Sequence, residues 1–519
     1  MTAQEHNEPR KVVPRWRSLA ASAKQGEIGT SIQRVVPRLP LFSEEEREWS
    51  LAQRRADWIE NRSLAFAEDL VSTAFVLDQP VAARDAALEI LADSSATGLA
   101  RSLATRLIDP TGHDLDEDEF DPFDVGAVRA QVVRLKRRLR NDPRAALTWA
   151  EIARTYAALG QGEKASDAMS VALAIAPEDR FLLRSAARLG VELKEPDRAH
   201  HLLATAPQLR EDPWLLSAEI AIAPLAGRTS RHQGHARRLL ASGRFLPHVT
   251  SELASALGTE ALTAGDRRSV RRFLSASLED PTENAVAQAE WVSRQDRTFE
   301  FDREWLGVED SFEARAHFHA RQHEQLQAIE NARAWLREQP FAKEPAIFGS
   351  YRAALAGNFE LSAAFCEVGL QANPKDYMLR NNLVFALASS GRVAEARKAL
   401  DALDSQIQNS ELEDDWGITI EATRGLVAFR EGDVEKGRRA YERVIRVARE
   451  RSLRAVAAII RAREELAART ALAADAVRDA RRLSEAAKSE ESPRADDVPA
   501  WLEHIEGEYG TTSRGAETR

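Results

Sequence analysis

The stretch PFAKEPAIFGSYRAALAGNFELSAAFCEVGLQANP, residues 340–374, decides the fold because its landmarks return at one interval. Pro340 and Pro374 lie 34 residues apart, as do Gly357 and Gly391. Ala328, Ser362 and Ala396 keep the same interval, as do Ala332, Cys366 and Leu400, and then Leu336 and Leu370. Each unit reads as a helix, a turn marked by glycine or a polar residue, a second helix and a proline that stops it. A period of 34 with small residues at fixed offsets predicts an all-α chain built as a helix-turn-helix repeat solenoid. Such a chain needs no single core, because each repeat packs only on its neighbours, and this suits a length of 519 residues.

Residues 146–177 hold the clearest single unit, with Trp149, Ile152, Ala153, Tyr156, Gly160, Ala165, Ala172, Leu173 and Pro177 in order. Small residues let two helices approach, the aromatic fills the gap beyond them, and the proline cannot continue the helix. This pattern resembles the tetratricopeptide repeat, a family of superhelices made from pairs of antiparallel helices. The pattern loosens over 180–206, where Gly190 stands in the aromatic position, and over 213–242, where Pro224 interrupts the first helix. It returns around Leu253, Ala261, Gly265, Leu274 and Pro281, and runs strongly from 309, 343 and 377. It recurs around Gly425, Gly432, Tyr441 and Ile445 after a longer loop, so the resemblance spans roughly 145–450.

Outside the repeats the composition shifts. We expect a basic, proline-punctuated arm at 1–42, an N-terminal helical block at 43–108, an acidic linker at 109–126 and irregular repeats at 127–300. Regular repeats follow at 301–450, then a long capping helix at 451–488 and a tail at 489–519 with a short amphipathic segment. The arm carries two similar stretches, Lys11-Val12-Val13-Pro14-Arg15 and Arg34-Val35-Val36-Pro37-Arg38, which read either as a loose terminus or as extended ligands. In the helical block, Ser43 and the three glutamates after it mark a helix start, and Trp49, Ala52, Ala56, Ile59, Phe66 and Leu70 keep helical spacing. Asp114, Asp116 and Asp118 imitate a calcium loop, but Glu119 replaces the turn glycine and Val125 the bidentate glutamate. Arg129, Arg134, Lys136, Arg137, Arg138 and Arg140 read as a solvated helix face. Between 452 and 487, Leu453, Val456, Ile460, Leu466, Ala473, Val477 and Leu483 form an apolar stripe that either caps the repeats or pairs with a second copy as a homo-oligomer. Trp501, Ile505 and Tyr509 share one face of a helix too short to stand alone, so the tail docks or awaits a partner.

Several function classes are disfavoured. A net charge of −10 gives no bulk attraction to nucleic acid or anionic membrane. The single cysteine, Cys366, rules out a disulfide framework and a cysteine-based zinc site within one chain. Residues 1–30 lack the apolar centre of a signal peptide, and no apolar run reaches membrane-spanning length, so a cytoplasmic home without a membrane partner is expected. There is no phosphate-cradling glycine loop, no Gly-x-Ser-x-Gly elbow and no His-Glu-x-x-His. His317, His319 and His323 come nearest to a metal set, but His317 points away from the other two and His323 falls in a turn. Cys366 sits at a core position of its repeat. We therefore expect no catalytic residue, no cofactor and no metal: not an enzyme. The Ala- and Arg-rich usage looks like that of a GC-rich bacterial gene.

The resemblance implies a groove lined by the first helix of each unit. Carried onto this sequence it is formed by Asp310, Glu313, His317 and Arg321, then Ile347, Tyr351 and Leu355, then Met378, Asn381 and Phe385. Its apolar members suit an extended peptide or an amphipathic helix with aromatic anchors, which makes the chain a scaffold or adaptor for a partner protein. Tyr351 and Phe385 depart from the family's carboxylate-clamp pattern, so a chaperone-tail receptor is not implied. The chain's own arm or tail is the alternative occupant. A second reading rests on Arg231, Arg237, Arg238, Arg267, Arg268, Arg271 and Arg272 as a strip for phosphate or acidic groups. It makes the chain a nucleic-acid-linked sensor or regulatory subunit, of the kind found in bacterial multi-gene or anti-phage systems.

Overall fold

The computed structural model describes residues 10–19, 22, 28, 44–76, 79–96, 98–108, 121–296, 299–407, 414–490 and 492–514. The regular elements among them are helices. They fall into two compact units: an N-terminal unit, Pro9–Arg315 with Trp335–Phe341, and a C-terminal unit that includes Ala316–Ala334 and the chain from Ala342 onward. This division does not follow the sequence boundary at 300.

Left-handed backbone sets the repeat. Gly160, Lys194, His323, Gly357, Gly391, Gly432 and Arg469 all have positive φ, and each lies between two helices of a pair. Gly160 thus separates Ala146–Ala158 from Gly162–Ile175, and Gly357 separates Glu344–Leu355 from Phe359–Ala372. A left-handed residue reverses the chain while its amide satisfies carbonyls at the helix end. Close approach then needs small side chains. A Cβ on Gly349 would lie 2.4 Å from the Phe365 ring, and one on Gly369 would lie 2.7 Å from Ala346.

In the N-terminal unit, Trp58, Leu70, Ile90 and Ala104 form the buried side of the first four long helices. Ile59 is 55% exposed, so the buried face of Glu44–Glu60 runs through Leu51 and Trp58 rather than through the Ala52, Ala56 and Ile59 line. Ser43 and residues 109–120, with the calcium-like aspartates, lie outside the described residues. Asp124 begins the next helix, Val125–Asn141, where its carboxylate accepts from the Gly126 and Ala127 amides. That helix buries Val128, Leu135 and Leu139 and leaves Arg129, Lys136, Arg137 and Arg140 exposed. Helix Pro213–Ile222 passes into a tighter turn at Ala223–Ala226, where Pro224 removes a backbone donor. The unit's main core joins Leu183, Leu216, Leu257 and Val292, and it also contains Val12 of the arm.

The C-terminal unit corrects one expectation. The single helix predicted for 451–488 is two, Arg451–Ala467 and Ala473–Ala487, with Arg469 at φ 52° in the turn between them. The segment is another helix pair, and its apolar residues are buried in the unit's own core with Ile459, Ala462, Val477 and Ala480. The tail helix is longer than expected, Pro493–Arg514.

Lys194, His323 and Arg469 hold left-handed backbone with a side chain, at about 1–2 kcal/mol each relative to glycine. His323→Gly is expected to raise the thermal midpoint and Gly357→Ala, at the equivalent turn, to lower it. Circular-dichroism melting reads both, and a lowered midpoint for His323→Gly would refute this account of the turn.

Candidate functional site

Helix Glu283–Gln295 places Glu283, Asn284, Gln288 and Glu290 in the interior of the N-terminal unit, none more than 1% exposed. Buried polar groups need partners, and the arm supplies them. The Arg10 guanidinium forks onto Glu313, Nε to Oε1 at 2.7 Å and Nη2 to Oε2 at 3.0 Å. It also donates to Asn284 Oδ1 at 2.8 Å and Gln288 Oε1 at 3.1 Å. Asn284 Nδ2 in turn donates to the Val13 carbonyl at 3.1 Å. Arg15 pairs with Glu313, and its Nε lies 3.8 Å from Glu283. Arg17, wholly buried, pairs with Glu283 and donates from Nε to Glu338 at 2.9 Å. Between them Trp16, also wholly buried, meets Phe341 with ring centroids 5.2 Å apart. Burial works against the Arg15 charge, but Glu313 and Glu338 outweigh it and push the guanidinium above its ordinary value. The first Val-Val-Pro-Arg stretch is therefore docked as an extended ligand, while the second, at 34–38, lies outside the described residues.

The C-terminal unit has its own groove, and the tail helix lies in it. Trp501 and Ile505 are buried, 4% and 1% exposed, as the spacing predicts; the Tyr509 side chain is outside the described residues. The Trp501 ring stands edge-on to Phe385 with centroids 5.9 Å apart. The Asp497 carboxylate accepts from the Tyr351 hydroxyl at 2.9 Å and from Arg352 Nη1 at 2.7 Å. Burial, and after it the Asp497 charge, pushes the Tyr351 phenol well above its ordinary value, so it stays a donor. His504 Nε2 donates to the Leu355 carbonyl at 2.8 Å. Glu490, just before the tail, accepts from the Ser452 amide at 2.7 Å and the Arg451 amide at 3.2 Å, which fixes the near end of the connection at a helix N-terminus.

The groove residues are contributed by Glu344–Leu355 and Tyr377–Ser389, the first helices of successive pairs. The fold is tetratricopeptide-like. No family model and no curated protein matches the sequence. Among solved structures, the chain is similar to a chain of the APC/C hetero-tetramer Cut9-Hcn1 at 11% identity, covering 91% of this chain and 93% of that one, TM-score 0.43. It is similar to a tetratricopeptide repeat protein from Parabacteroides merdae at 13% identity, covering 62% and 97%, TM-score 0.30. It is also similar to yeast Tom70 at 13% identity, covering 89% and 100%, TM-score 0.29.

The ten residues read as one groove are divided between tetratricopeptide-like units. Glu313 serves the arm; Tyr351, Leu355 and Phe385 meet the tail. Ile347, Met378 and Asn381 are 5%, 2% and 4% exposed and do not present an open surface. The His317 ring contacts Phe348 at 4.6 Å, Arg321 is exposed, and Asp310 holds left-handed backbone at φ 57°. His319 Nδ1 meets Glu324 at 2.5 Å, and no group of three metal-ligating side chains occurs among the described residues. Burial pushes the Cys366 thiol up to about 12, which leaves no thiolate at neutral pH. Among the described residues no helix is long and apolar enough to cross a membrane. The seven arginines of the strip are all exposed.

Sequence reasoning missed Glu283, Asn284, Gln288 and Glu338 in one groove and Arg352 and Asp497 in the other. A signal was present: Asn284 and Gln288 share a helix face, i and i+4, opposite the apolar Val286. Glu283→Gln leaves Arg17 buried with one carboxylate fewer, a change of the kind that costs about 3–5 kcal/mol. Limited trypsin digestion should cleave after Arg15 or Arg17 in the variant and spare both in the wild type. Equal protection in both proteins would show that this ion pair does not hold the arm.

Proposed function

We propose that this protein is a non-enzymatic interaction scaffold whose C-terminal groove accepts an amphipathic helix of a partner protein in exchange for its own tail helix. The observation that carries the reading is the seating of Trp501 on Phe385, with Asp497 held between Tyr351 and Arg352. An aromatic anchor flanked by a satisfied polar contact is how grooves of this kind take helices. The tail is also a poor helix by itself, because Pro499 lies inside it and costs about 3 kcal/mol relative to alanine. Its helicity thus depends on docking, and release lets the segment unravel.

The exchange has a threshold. A short tether holds the tail at an effective concentration of about 1 mM, so a partner helix present at about 1 μM must bind roughly a thousandfold better than the tail. Burial of two or three large apolar side chains, at about 1.5–3 kcal/mol each, supplies that margin. A partner carrying a stronger helix without an internal proline meets it readily. Organisation of a multiprotein complex follows from such an exchange, since the displaced tail remains attached.

The test uses a fluorescein-labelled peptide with the sequence of residues 493–510 as the incoming helix. Fluorescence anisotropy with the full chain is expected to show weak binding to the wild type and binding at least tenfold tighter to an Asp497→Ala/Trp501→Ala variant, whose own tail is loosened. Adding Phe385→Ala should abolish it. A loosened-tail variant that takes up no peptide would mean that the tail is a permanent part of the fold.

A further inference from the structure

We infer that the N-terminal unit carries a second binding site, independent of the grooves, for a phosphoryl group. It is a surface cavity of about 310 Å³ lined by Arg210, Arg231, His232, Gly234, His235 and Arg238, with no carboxylate among its lining residues. Two members of the arginine strip, Arg231 and Arg238, converge here; Arg237, Arg267, Arg268, Arg271 and Arg272 do not line it.

Several neighbouring guanidiniums of the unit are matched with carboxylates: Arg180 with Asp212 at 2.5 Å, Arg184 with Glu252 at 3.0 Å, Arg228 with Asp197 at 2.9 Å. Among the described residues the side chains of Arg210, Arg231 and Arg238 have no such partner. The cavity also sits at the start of helix Gln233–Ala241, whose N-cap residue His232 makes no side-chain capping bond. The first-turn amides there have no partner within the helix, and they favour anions. The Arg238 guanidinium lies over Gly234 in the first turn, where a Cβ would stand 3.9 Å from its Nη1. His235 donates from Nε2 to the Arg210 carbonyl at 2.7 Å, which ties the two edges of the cavity together. Burial first, and then the charges of Arg210, Arg231 and His235, hold the His232 imidazole below its ordinary value, although Glu219 opposes them. Glu219 itself is engaged by Ser230 and His200 and is not among the lining residues.

Three guanidiniums around so small a space call for a ligand of at least two negative charges with several acceptor oxygens, which a phosphate ester or diphosphate offers and a single carboxylate does not. The lining holds no Trp, Tyr or Phe on which bases could stack, so it does not suit single-stranded nucleic acid. The phosphoryl group belongs either to a free small molecule or to a phosphorylated residue of a protein.

Isothermal titration of the full chain distinguishes these sources, with inorganic pyrophosphate as one probe and a phosphoserine hexapeptide, against its unphosphorylated twin, as the other. Saturable binding of either probe is expected, weakened about tenfold or more in Arg231→Gln/Arg238→Gln and less than twofold in Arg267→Gln/Arg271→Gln. The second pair removes the same charge from the polar face of helix Arg267–Ser277 in the same unit, and all four residues are exposed, so the fold is kept. No saturable binding by either probe overturns the inference. So does equal weakening by both pairs, which signals a diffuse field, or binding only of a single-stranded oligonucleotide.

Discussion

A two-helix repeat buries its apolar stripe only against the next repeat, and the inner face of its first helix is left for something else to cover. That constraint shapes both units of this protein. In each, a terminal segment of the chain lies along the first helices. Arg10, Val12 and Arg17 do so over helix Glu283–Gln295 and its neighbours, while Asp497 and Trp501 do so over Tyr351 and Phe385. Both coverings combine apolar burial with buried charge, in different proportions.

The arm is held by charge in a place without water. Arg17 and Glu283 are 0% and 1% exposed, so neither can be solvated if the other leaves. Pairs of this kind add little net stability when complete but are hard to dismantle by halves. The tail is held mainly by the burial of Val498, Trp501 and Ile505, with the Asp497 carboxylate and the His504–Leu355 hydrogen bond beside it, in a helix that contains Pro499. A competing helix of the same pattern supplies equivalents for each of these contacts. Under the proposed exchange the arm is the lasting covering and the tail the replaceable one.

The repeat was legible because local sterics write it. Gly357 and Gly391 are demanded by left-handed turns, and Gly349 and Gly369 by close helix approach. Where a residue with a side chain adopts the same backbone, the signal vanishes: Arg469 ends a helix that composition alone extends from 451 to 488. The grooves were legible only as positions. Repeat register placed Glu313 beside Tyr351, yet Glu313 answers to Arg10, 303 residues away, and Tyr351 to Asp497, 146 away. Pairings at such separations leave no periodic trace. The charge match between the arm's arginines and the buried glutamates was visible in principle, since acids inside an alanine-rich helix imply a cationic partner. The arginine strip was seen as a line on exposed helices; the cavity that gathers Arg231 and Arg238 with Arg210 depends on how separate turns meet.

The arm's anchorage also orders events in time. Its acceptors include Glu313 and Glu338, the latter 321 residues downstream of Arg17. At synthesis rates of about 5–20 residues per second, Arg17 leaves the ribosome roughly 15–60 s before its last acceptor exists. Helix pairs fold from local contacts as they emerge, whereas closing so long a loop comes late. The N-terminal unit thus spends an interval with Glu283 uncovered, hydrated and open to any basic peptide nearby. Arg10 and Arg17 reach their places only after Glu313 and Glu338 exist, and the arm serves as the seal on a finished N-terminal unit.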